Sequence, residues 1–263
     1  MINEVSVIRV VVFTGGPSFD WQVISFLERL ECDSHIALAG IFSQSPRHGI
    51  SGVVRDLCDR RGLLAAPLLL QLLFRSVYRE IKSPRVVRRR RKLVRELRPR
   101  THYVKHIHGT EAITRVRELK PELGLVYGGP IIKPVLFEIP LHGTLGIHHG
   151  KVPEYRGKKT TFWAMYNGEK EAGVTIQRIG TRLDGGDVVM QTLLPLAKRP
   201  LSRVKRQLEN AGIDLYIRAI HSVREGSATY TAQPTEPITL YTDPGAADII
   251  RFWYRYLLRL VRN

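Results

Sequence analysis

The sequence predicts an α/β fold built on a doubly wound, mostly parallel sheet, and three observations support this. A mostly apolar run rich in β-branched residues, Val5–Phe13, is typical of a buried central strand. The glycine-rich turn Thr14–Ser18 follows it, and a helical pattern begins near Trp21. The alternation then continues with a second predicted strand over Ile36–Phe42, so the chain is expected to be Rossmann-like.

Composition places the chain among soluble proteins with an anionic partner. Its 263 residues, 43% hydrophobic and 25% charged, can bury an ample core as one large domain or one domain with an appendage. Cys32 and Cys58 form no CxxC motif and no secretory segment follows Met1, which predicts a cytoplasmic protein. No Cys or acidic residue stands at ligand spacing from the cluster His102–His108, so no metal site is predicted. The net charge of +17 predicts a nucleotide, nucleic acid or anionic membrane surface as partner.

A segment over about residues 50–106 interrupts the alternation. Its apolar part, Leu63–Phe74, contains Pro67 and is too short to span a bilayer. A strongly basic part follows, with four consecutive arginines at Arg88–Arg91. We predict a basic helical insertion here. It could lie on an anionic membrane at the inner face of the cell, dock on nucleic acid, or be a solvated helix that packs its leucines on the core.

The rest of the chain resumes the alternation and then changes character. The pattern predicts a helix over Ala112–Leu119 and a strand over Leu123–Tyr127. We divide the chain into an α/β domain over residues 1–200 and a C-terminal extension over residues 201–263. The extension ends in a predicted basic amphipathic helix, Ala246–Arg262, with an apolar stripe on one side and arginines on the other.

The stretch from Leu145 to Gln191 contains the candidate chemistry. His148 closes a predicted strand, and Asp184 lies in a glycine-rich loop between two further predicted strands. A histidine at a strand end and a carboxylate on a neighbouring loop can form a proton-handling pair. The alternative is that His148 is a core histidine and Asp184 an ordinary turn residue.

Four motifs in this stretch occur in a fixed order: Gly146-Ile-His148, Pro153-Glu-Tyr155-Arg156-Gly157, Gly173-Val-Thr-Ile176 and Leu183-Asp184-Gly-Gly-Asp187. Their order and spacing resemble the formyltransferases that use 10-formyltetrahydrofolate, a family that acts on glycinamide ribonucleotide, methionyl-tRNA or sugar-nucleotide amines. The family has an asparagine where this sequence has Gly146. The resemblance implies the family's fold, with 10-formyltetrahydrofolate as formyl donor.

The resemblance also implies roles for particular residues. His148 would donate to the formyl oxygen and take part in proton transfer, and Asp184 would orient the imidazole or a water. The expected cofactor-binding residues are Gly129, Pro130, Ile131, Ile132, Gly180, Leu183 and Asp184. The expected substrate-binding residues are Thr14, Gly15, Gly16, Tyr155, Arg156 and Gly157, the first three at a turn whose glycines could instead serve only a tight bend.

Gly146 removes one donor that the family's asparagine supplies to the formyl oxygen. The loss of such a donor costs on the order of 3 kcal/mol in other enzymes. Lys151, a backbone N–H group or a water could take its place, and Thr144 is a weaker candidate. Otherwise the enzyme would be slow or inactive.

The predicted function is formyl transfer to a primary amine of a small anionic molecule. A nucleotide-linked or otherwise phosphorylated amino sugar ranks first, because its phosphates suit a strongly basic protein. A methionyl-tRNA-type activity ranks second, because those relatives carry a C-terminal β-barrel and little sequence follows the core here. The third hypothesis is a formyltransferase-like module that binds a ligand or a membrane without catalysis.

Overall fold

The computed structural model describes residues 7–15, 21–44, 83–196, 199–235 and 239–261. We number the helices and strands in chain order over these residues. Their bounds are β1 Ile8–Gly15, α1 Trp21–Glu31, β2 Ile36–Gln44, α2 Pro84–Leu97, β3 Thr101–Val104, α3 Thr110–Glu118, β4 Leu123–Val126, α4 Pro134–Phe137, β5 Thr144–His148, β6 Arg156–Gly157, α5 Thr160–Asn167, β7 Glu171–Arg178, β8 Val188–Pro195, α6 Leu201–Arg224, β9 Leu240–Tyr241 and α7 Ala246–Val261.

Seven strands form one sheet in the order β3-β2-β1-β4-β5-β7-β8. The five strands from β3 to β5 in that order are parallel, and β7 and β8 continue the sheet in antiparallel pairing. The connections change direction between β1 and β4, and open α/β sheets bind ligands outside the carboxyl ends of strands near such a point. The predicted α/β fold with a mostly parallel sheet is confirmed.

The central strand β1 is buried on both of its faces, as its β-branched sequence predicts. Val10 and Val12 belong to the larger core cluster, which also contains side chains of α1, α5 and α6. Val11 and Phe13 point the other way, into a smaller cluster with side chains of α3 and α4. Two layers of helices therefore enclose the sheet.

Helix α6 fixes the middle of the sheet. Its Tyr216 is fully buried, and the phenol donates a hydrogen bond to the carbonyl of Leu145 at 2.7 Å while accepting one from the backbone N–H of Val126 at 3.1 Å. These contacts hold the helix against β4 and β5, the two strands whose carboxyl ends carry the candidate site. The helix thus packs on the same core as the sheet, and the division of the chain at residue 200 stays a prediction.

The predicted insertion over about residues 50–106 ends earlier than expected. Thr101–Val104 is strand β3, which pairs in parallel with β2, and α2 precedes it as a regular helix of the sheet architecture. Helix α2 has a buried side, formed by Val87 and Leu97. The many arginines around these two residues make that apolar side difficult to recognise in the sequence. The apolar segment Leu63–Phe74 lies outside the described residues.

Two arginines of helix α2 contact α1. The guanidinium of Arg90 lies 4.2 Å from the ring centroid of Trp21 and donates to the hydroxyl of Ser25 at 2.7 Å. A second contact joins Arg89 to Glu28 at 2.7 Å. Part of the basic composition of α2 therefore serves packing and pairing within the protein.

The terminal helix α7 docks on α5 through aromatic contacts. Phe252 is buried, and its ring centroid lies 4.7 Å from that of Phe162. Arg255 lies over the ring of Tyr166 at 4.9 Å, so this arginine belongs to the docked side and not to the opposite face as predicted. Within the described residues, no helix combines the length and the apolar composition that crossing a bilayer requires.

Candidate functional site

A cavity of about 510 Å³, here called the large cavity, opens at the carboxyl ends of β4 and β5. Its walls are the loop after β4, the end of β5 and the loop between β7 and β8. The residues predicted to bind the cofactor all line this cavity: Gly129, Pro130, Ile131, Ile132, Gly180, Leu183 and Asp184. The volume is typical of small-molecule sites.

The walls of the large cavity combine apolar surface with positive charge. Ile131 and Leu183 expose 74% and 47% of their surface there, although both are large apolar residues. Arg178 and Arg182 also line the cavity, and among the described residues neither has a carboxylate within 4 Å. The cavity can therefore receive a flat apolar body that carries a negative charge.

A second cavity of about 360 Å³, here called the small cavity, lies on the other side of Ile147, which lines both. Its walls include His148, Lys159 and Lys205. Neither lysine forms an ion pair within the part of the chain that the structure describes. Burial, and then the nearby charge of Lys159, lowers the pKa of Lys205, while Glu209 opposes the shift. The small cavity is thus a positively charged pocket next to the candidate histidine.

His148 and Asp184 connect the two cavities, because His148 lines the small one and Asp184 the large one. The ring nitrogen Nδ1 of His148 lies 3.4 Å from Oδ2 of Asp184, and Nε2 donates to the carbonyl of Tyr155 at 2.7 Å. A carbonyl can only accept, so Nε2 carries a proton. A β-carbon on Gly150 would overlap both that carbonyl and Nε2, which is why the tight contact needs glycine there. The imidazole is fixed at Nε2 and held more loosely at Nδ1.

Asp184 is positioned by two contacts to its carboxylate and one to its backbone carbonyl. Its backbone is left-handed, with φ of 48°, in the loop after β7. Oδ2 accepts a hydrogen bond from the backbone N–H of Gly157 at 2.9 Å, and Oδ1 lies 3.4 Å from Nε2 of Gln177. The carbonyl of Asp184 accepts from Nε2 of Gln233 at 3.1 Å. Gly157, which also lines the small cavity, therefore ties Asp184 to the wall of that cavity.

Gln233, a residue that the sequence did not single out, holds this loop together. Its Nε2 also lies 3.1 Å from the side-chain oxygen of Gln177 and 2.6 Å from the carbonyl of Gly186, so its two N–H groups are shared among three acceptors. Its Oε1 accepts two hydrogen bonds from Arg156, from Nε at 3.1 Å and Nη2 at 2.7 Å. Gln233 lies in an extended stretch with no recognisable motif, so no local signal could have found it.

Tyr155 and Arg156, predicted to bind substrate, line neither cavity. Tyr155 stacks on Tyr241 with ring centroids 5.1 Å apart, and its hydroxyl donates to Glu169 at 2.8 Å. Arg156 is buried against Gln233; burial and then Arg182 lower its pKa, and Asp184 opposes this. Their turn directs both side chains into the protein, where they hold the site's loops, and direct substrate contact by these two residues stays a prediction.

The first two residues of the predicted turn Thr14–Ser18 belong instead to the end of β1. Thr14 is fully buried, and Gly15 donates its N–H to the carbonyl of Gly128 at 3.0 Å. Neither residue lines either cavity. Gly16 lies outside the described residues.

Gly146 lines the large cavity, but the place of its missing side chain is filled. A β-carbon built there would overlap Cδ1 of Ile179. The substitute donors considered above do not reach the cavity: Lys151 pairs with Glu154 at 2.9 Å, and Thr144 donates to a backbone carbonyl at 2.9 Å. Neither side chain lines either cavity.

His149 is a second histidine that the structure places at the small cavity. Its Nε2 is buried and has no hydrogen-bond partner among the described residues. Burial, and then the neighbouring His148, lowers the pKa of His149 to about 4. The ring is therefore neutral near pH 7. The sequence shows the adjacent histidines, but only the packing separates their environments.

One group of potential metal ligands lies outside both cavities. Asp33, His35 and His221 bring one ligand atom each within 4.8 Å of the others. In the structure Nε2 of His221 and Oδ2 of Asp33 lie 2.8 Å apart, at hydrogen-bond distance. The prediction of no metal site rested on other histidines, and it stays a prediction.

Comparisons with known proteins agree with this architecture. Residues 83–220, more than half of the chain, match the model of a protein family described as formyl transferase. A methionyl-tRNA formyltransferase of Thermodesulfovibrio yellowstonii is 32% identical over 126 residues, which are 47% of this chain and 41% of that protein. One of Roseiflexus sp. is 26% identical over 260 residues, 96% of this chain and 68% of that protein. The chain thus spans less than half of the first relative's length.

The solved structures extend the likeness to the fold. The phosphoribosylglycinamide formyltransferase of Anaplasma phagocytophilum aligns with a TM-score of 0.57 at 17% identity, over 90% of this chain and all of that one. The glycinamide ribonucleotide transformylase 1 of Symbiobacterium toebii gives the same TM-score at 16% identity, over 87% and 95% of the two chains. Together with the family match, which includes both His148 and Asp184, these likenesses show that the chain belongs to the formyl transferase family.

Proposed function

We propose that this protein transfers a formyl group from 10-formyltetrahydrofolate to the primary amine of an anionic acceptor. The observation that carries the proposal is the contact between His148 and Asp184 at the junction of two cavities. A two-substrate transfer needs two pockets that meet at one reactive point. Proton-handling side chains at the junction suit a reaction in which an amine loses a proton.

The large cavity has the features that a reduced folate requires. Ile131, Ile132 and Leu183 offer apolar surface to a flat heterocycle, and the loop backbone offers polar groups to its edge. Arg178 and Arg182 suit the carboxylates at the other end of a folate. A bound 10-formyltetrahydrofolate would supply the formyl group at the junction.

The small cavity suits the acceptor. Lys159 and Lys205 line this cavity together with one carboxylate, Glu209, and among the described residues neither lysine has a carboxylate within 4 Å. Two lysines and one glutamate leave a net positive charge at this cavity, so an anionic group of the acceptor would be attracted there. His148 lies in the same pocket, where an amine next to that anionic group could reach it.

His148 and Asp184 would divide the proton handling between them. Their 3.4 Å contact is long for a hydrogen bond, so Nδ1 of His148 is the ring nitrogen that stays available to a substrate atom. Nε2 stays fixed on the Tyr155 carbonyl and keeps the ring in place. Asp184 would accept the proton that leaves the amine, directly or through a water.

Two acceptor classes fit this proposal. A nucleotide-linked or otherwise phosphorylated amino sugar places negative charge close to an amine, as the two lysines require. Methionyl-tRNA is favoured by a different observation, because the curated relatives named above are methionyl-tRNA formyltransferases. The net charge of +17 suits both acceptors.

The test has a binding arm and a turnover arm. Calorimetry with 5-formyltetrahydrofolate should show one site per chain, and turnover of 10-formyltetrahydrofolate should require either a nucleoside-diphosphate amino sugar or methionyl-tRNA. His148→Asn and Asp184→Asn should each abolish turnover with little change in melting temperature. His142→Asn, at an exposed histidine, is the control and should keep the turnover of the wild type. Binding without turnover on either acceptor would favour a module that has lost catalysis, and no binding would reject the cofactor assignment.

A further inference from the structure

Gln177 is a buried amide at the wall of the large cavity, beside Asp184. Only 3% of its surface is exposed, and it lies on β7 directly opposite Gly146 of β5. Side chains at directly opposed positions of neighbouring strands lie on the same face of a sheet. Because Gly146 has no side chain, Gln177 supplies the polar group of this cross-strand pair.

The neighbours of Gln177 fix the orientation of its amide. Oε1 accepts a hydrogen bond from Gln233 at 3.1 Å, so the oxygen faces that residue and Nε2 points away from it. Nε2 lies 3.4 Å from Oδ1 of Asp184, a long contact, and this is its one hydrogen bond within the described residues. An amide nitrogen carries two N–H groups, so donor capacity remains at the cavity wall.

We propose that Gln177 is a catalytic residue whose Nε2 donates a hydrogen bond to the formyl oxygen during transfer. The inference rests on the proposed function. In that reaction the bond from the acceptor nitrogen to the formyl carbon forms while the bond from that carbon to folate N10 breaks. The proton lost by the acceptor amine goes by way of Asp184 to N10, and Gln177 exchanges no proton.

A hydrogen bond from Gln177 to the formyl oxygen would stabilise the transition state of formyl transfer. Negative charge builds up on the formyl oxygen as the amine attacks, and a fixed donor in a dry pocket stabilises that charge more than it stabilises the bound substrate. The effect of such a donor therefore appears in kcat more than in KM.

Gln177→Met tests this directly, because methionine keeps the length of the side chain and removes the N–H groups. With 10-formyltetrahydrofolate and whichever acceptor named above supports turnover, kcat should fall by about a hundred- to a thousandfold. The affinity for 5-formyltetrahydrofolate should stay close to that of the wild type.

Gln191→Met is the matched control, since Gln191 is a partly buried glutamine on β8 that contacts Val152 and Thr175 and lines neither cavity. Its kcat should be unchanged.

A rescue separates catalysis from positioning. In the Gln177→Met background, Gly146→Asn combined with Ile179→Ala places an amide on the opposite strand and clears space for it. Part of the lost kcat should return if the site needs an amide donor. A wild-type kcat in Gln177→Met, or a loss that this rescue does not relieve at all, would overturn the proposal and leave Gln177 a structural residue.

The wild-type protein offers an independent measurement if the variants are unstable. Glutamine labelled with ¹⁵N reports the side-chain amides by NMR, and the stable pair 10-formyl-5,8-dideazafolate and 5,8-dideazafolate differ only in the formyl group. The Gln177 amide should shift with the formylated ligand and not with its partner. Equal responses to both would overturn this proposal alone, whereas no binding of either would also reject the proposed function.

Discussion

Ile179 occupies the space that a side chain at position 146 would need. Both residues line the large cavity, and a β-carbon on Gly146 would overlap Cδ1 of Ile179. The backbone of Ile179 is fixed, since its N–H donates to the carbonyl of Thr144 at 2.7 Å. A side chain at 146 therefore forces the end of the Ile179 side chain to move, and positions 146 and 179 are coupled.

This coupling predicts a non-additive stability change. Gly146→Asn alone should lower the free energy of unfolding by about 1–3 kcal/mol through overpacking, and Ile179→Ala alone should lower it by about 2–5 kcal/mol through lost packing. The double variant should be more stable than the sum of the two losses predicts, because the asparagine fills the vacated space. Urea denaturation of the four proteins measures the coupling. Strict additivity would show that the two side chains do not compete.

Gln233 should contribute strongly to stability as well as to turnover. Gln233→Leu removes the acceptor of two hydrogen bonds from the buried Arg156 and the donor to the Asp184 loop. Leaving a buried charged group without a partner costs about 3 kcal/mol or more, so the urea midpoint should fall markedly. Turnover should fall further than the folded fraction does, because Asp184 loses its backbone support.

The control for this change is Gln191→Leu, since Gln191 is a partly buried glutamine that holds no charged partner. Its loss of stability should be smaller, about 1 kcal/mol. Equal losses in the two variants would mean that Arg156 finds another partner or water when Gln233 is absent.

The sequence predicts the large cavity well and the supports of the site poorly, for a physical reason. Ile131 and Leu183 lie in loops that directly follow strands of a parallel sheet, and the carboxyl ends of such strands meet at one edge. The direction of Arg156 depends instead on Gln233, 77 residues further along the chain. Packing across that separation decides which side of a turn is buried, and a local motif carries no information about it.

The same dependence on long-range packing explains why the sequence does not predict the small cavity. Lys159 precedes α5 and Lys205 lies in the first turns of α6, and neither belongs to a motif. The docking of the two helices creates the positive pocket. Their lack of carboxylate partners can be recognised only once the surroundings of both side chains are known.

His149 should make the protein sensitive to mild acid. Its pKa is about 4 in the folded protein, against an ordinary value of 6.5, because burial and His148 disfavour the charged ring. Below the ordinary pKa the unfolded chain binds a proton that the folded protein does not, so stability is fully present above that value and is lost as the pH falls. The difference between the two values corresponds to roughly 3 kcal/mol between about pH 7 and pH 4.

Urea denaturation across that pH range tests the effect of His149. His149→Gln should lose about 3 kcal/mol less than the wild type on acidification, while the exposed His142→Gln should follow the wild type. Parallel pH profiles in all three proteins would show that another group accounts for the acid sensitivity.

Helix α7 exposes apolar side chains next to cations, a combination typical of helices that bind membrane surfaces. Ile250, Trp253 and Tyr254 expose 69%, 49% and 64% of their surfaces on a helix that also bears the exposed Arg251. Apolar anchors beside cations favour anionic over neutral bilayers, with each nearby arginine contributing about 1 kcal/mol to binding.

We expect the wild type to float with vesicles rich in phosphatidylglycerol at low salt and to stay in solution with phosphatidylcholine alone. Trp253→Asp should abolish the flotation, whereas Leu141→Asp, at an apolar residue 74% exposed outside α7, should preserve it. Flotation that is equal on both lipids, or that survives Trp253→Asp, would exclude α7 as the contact.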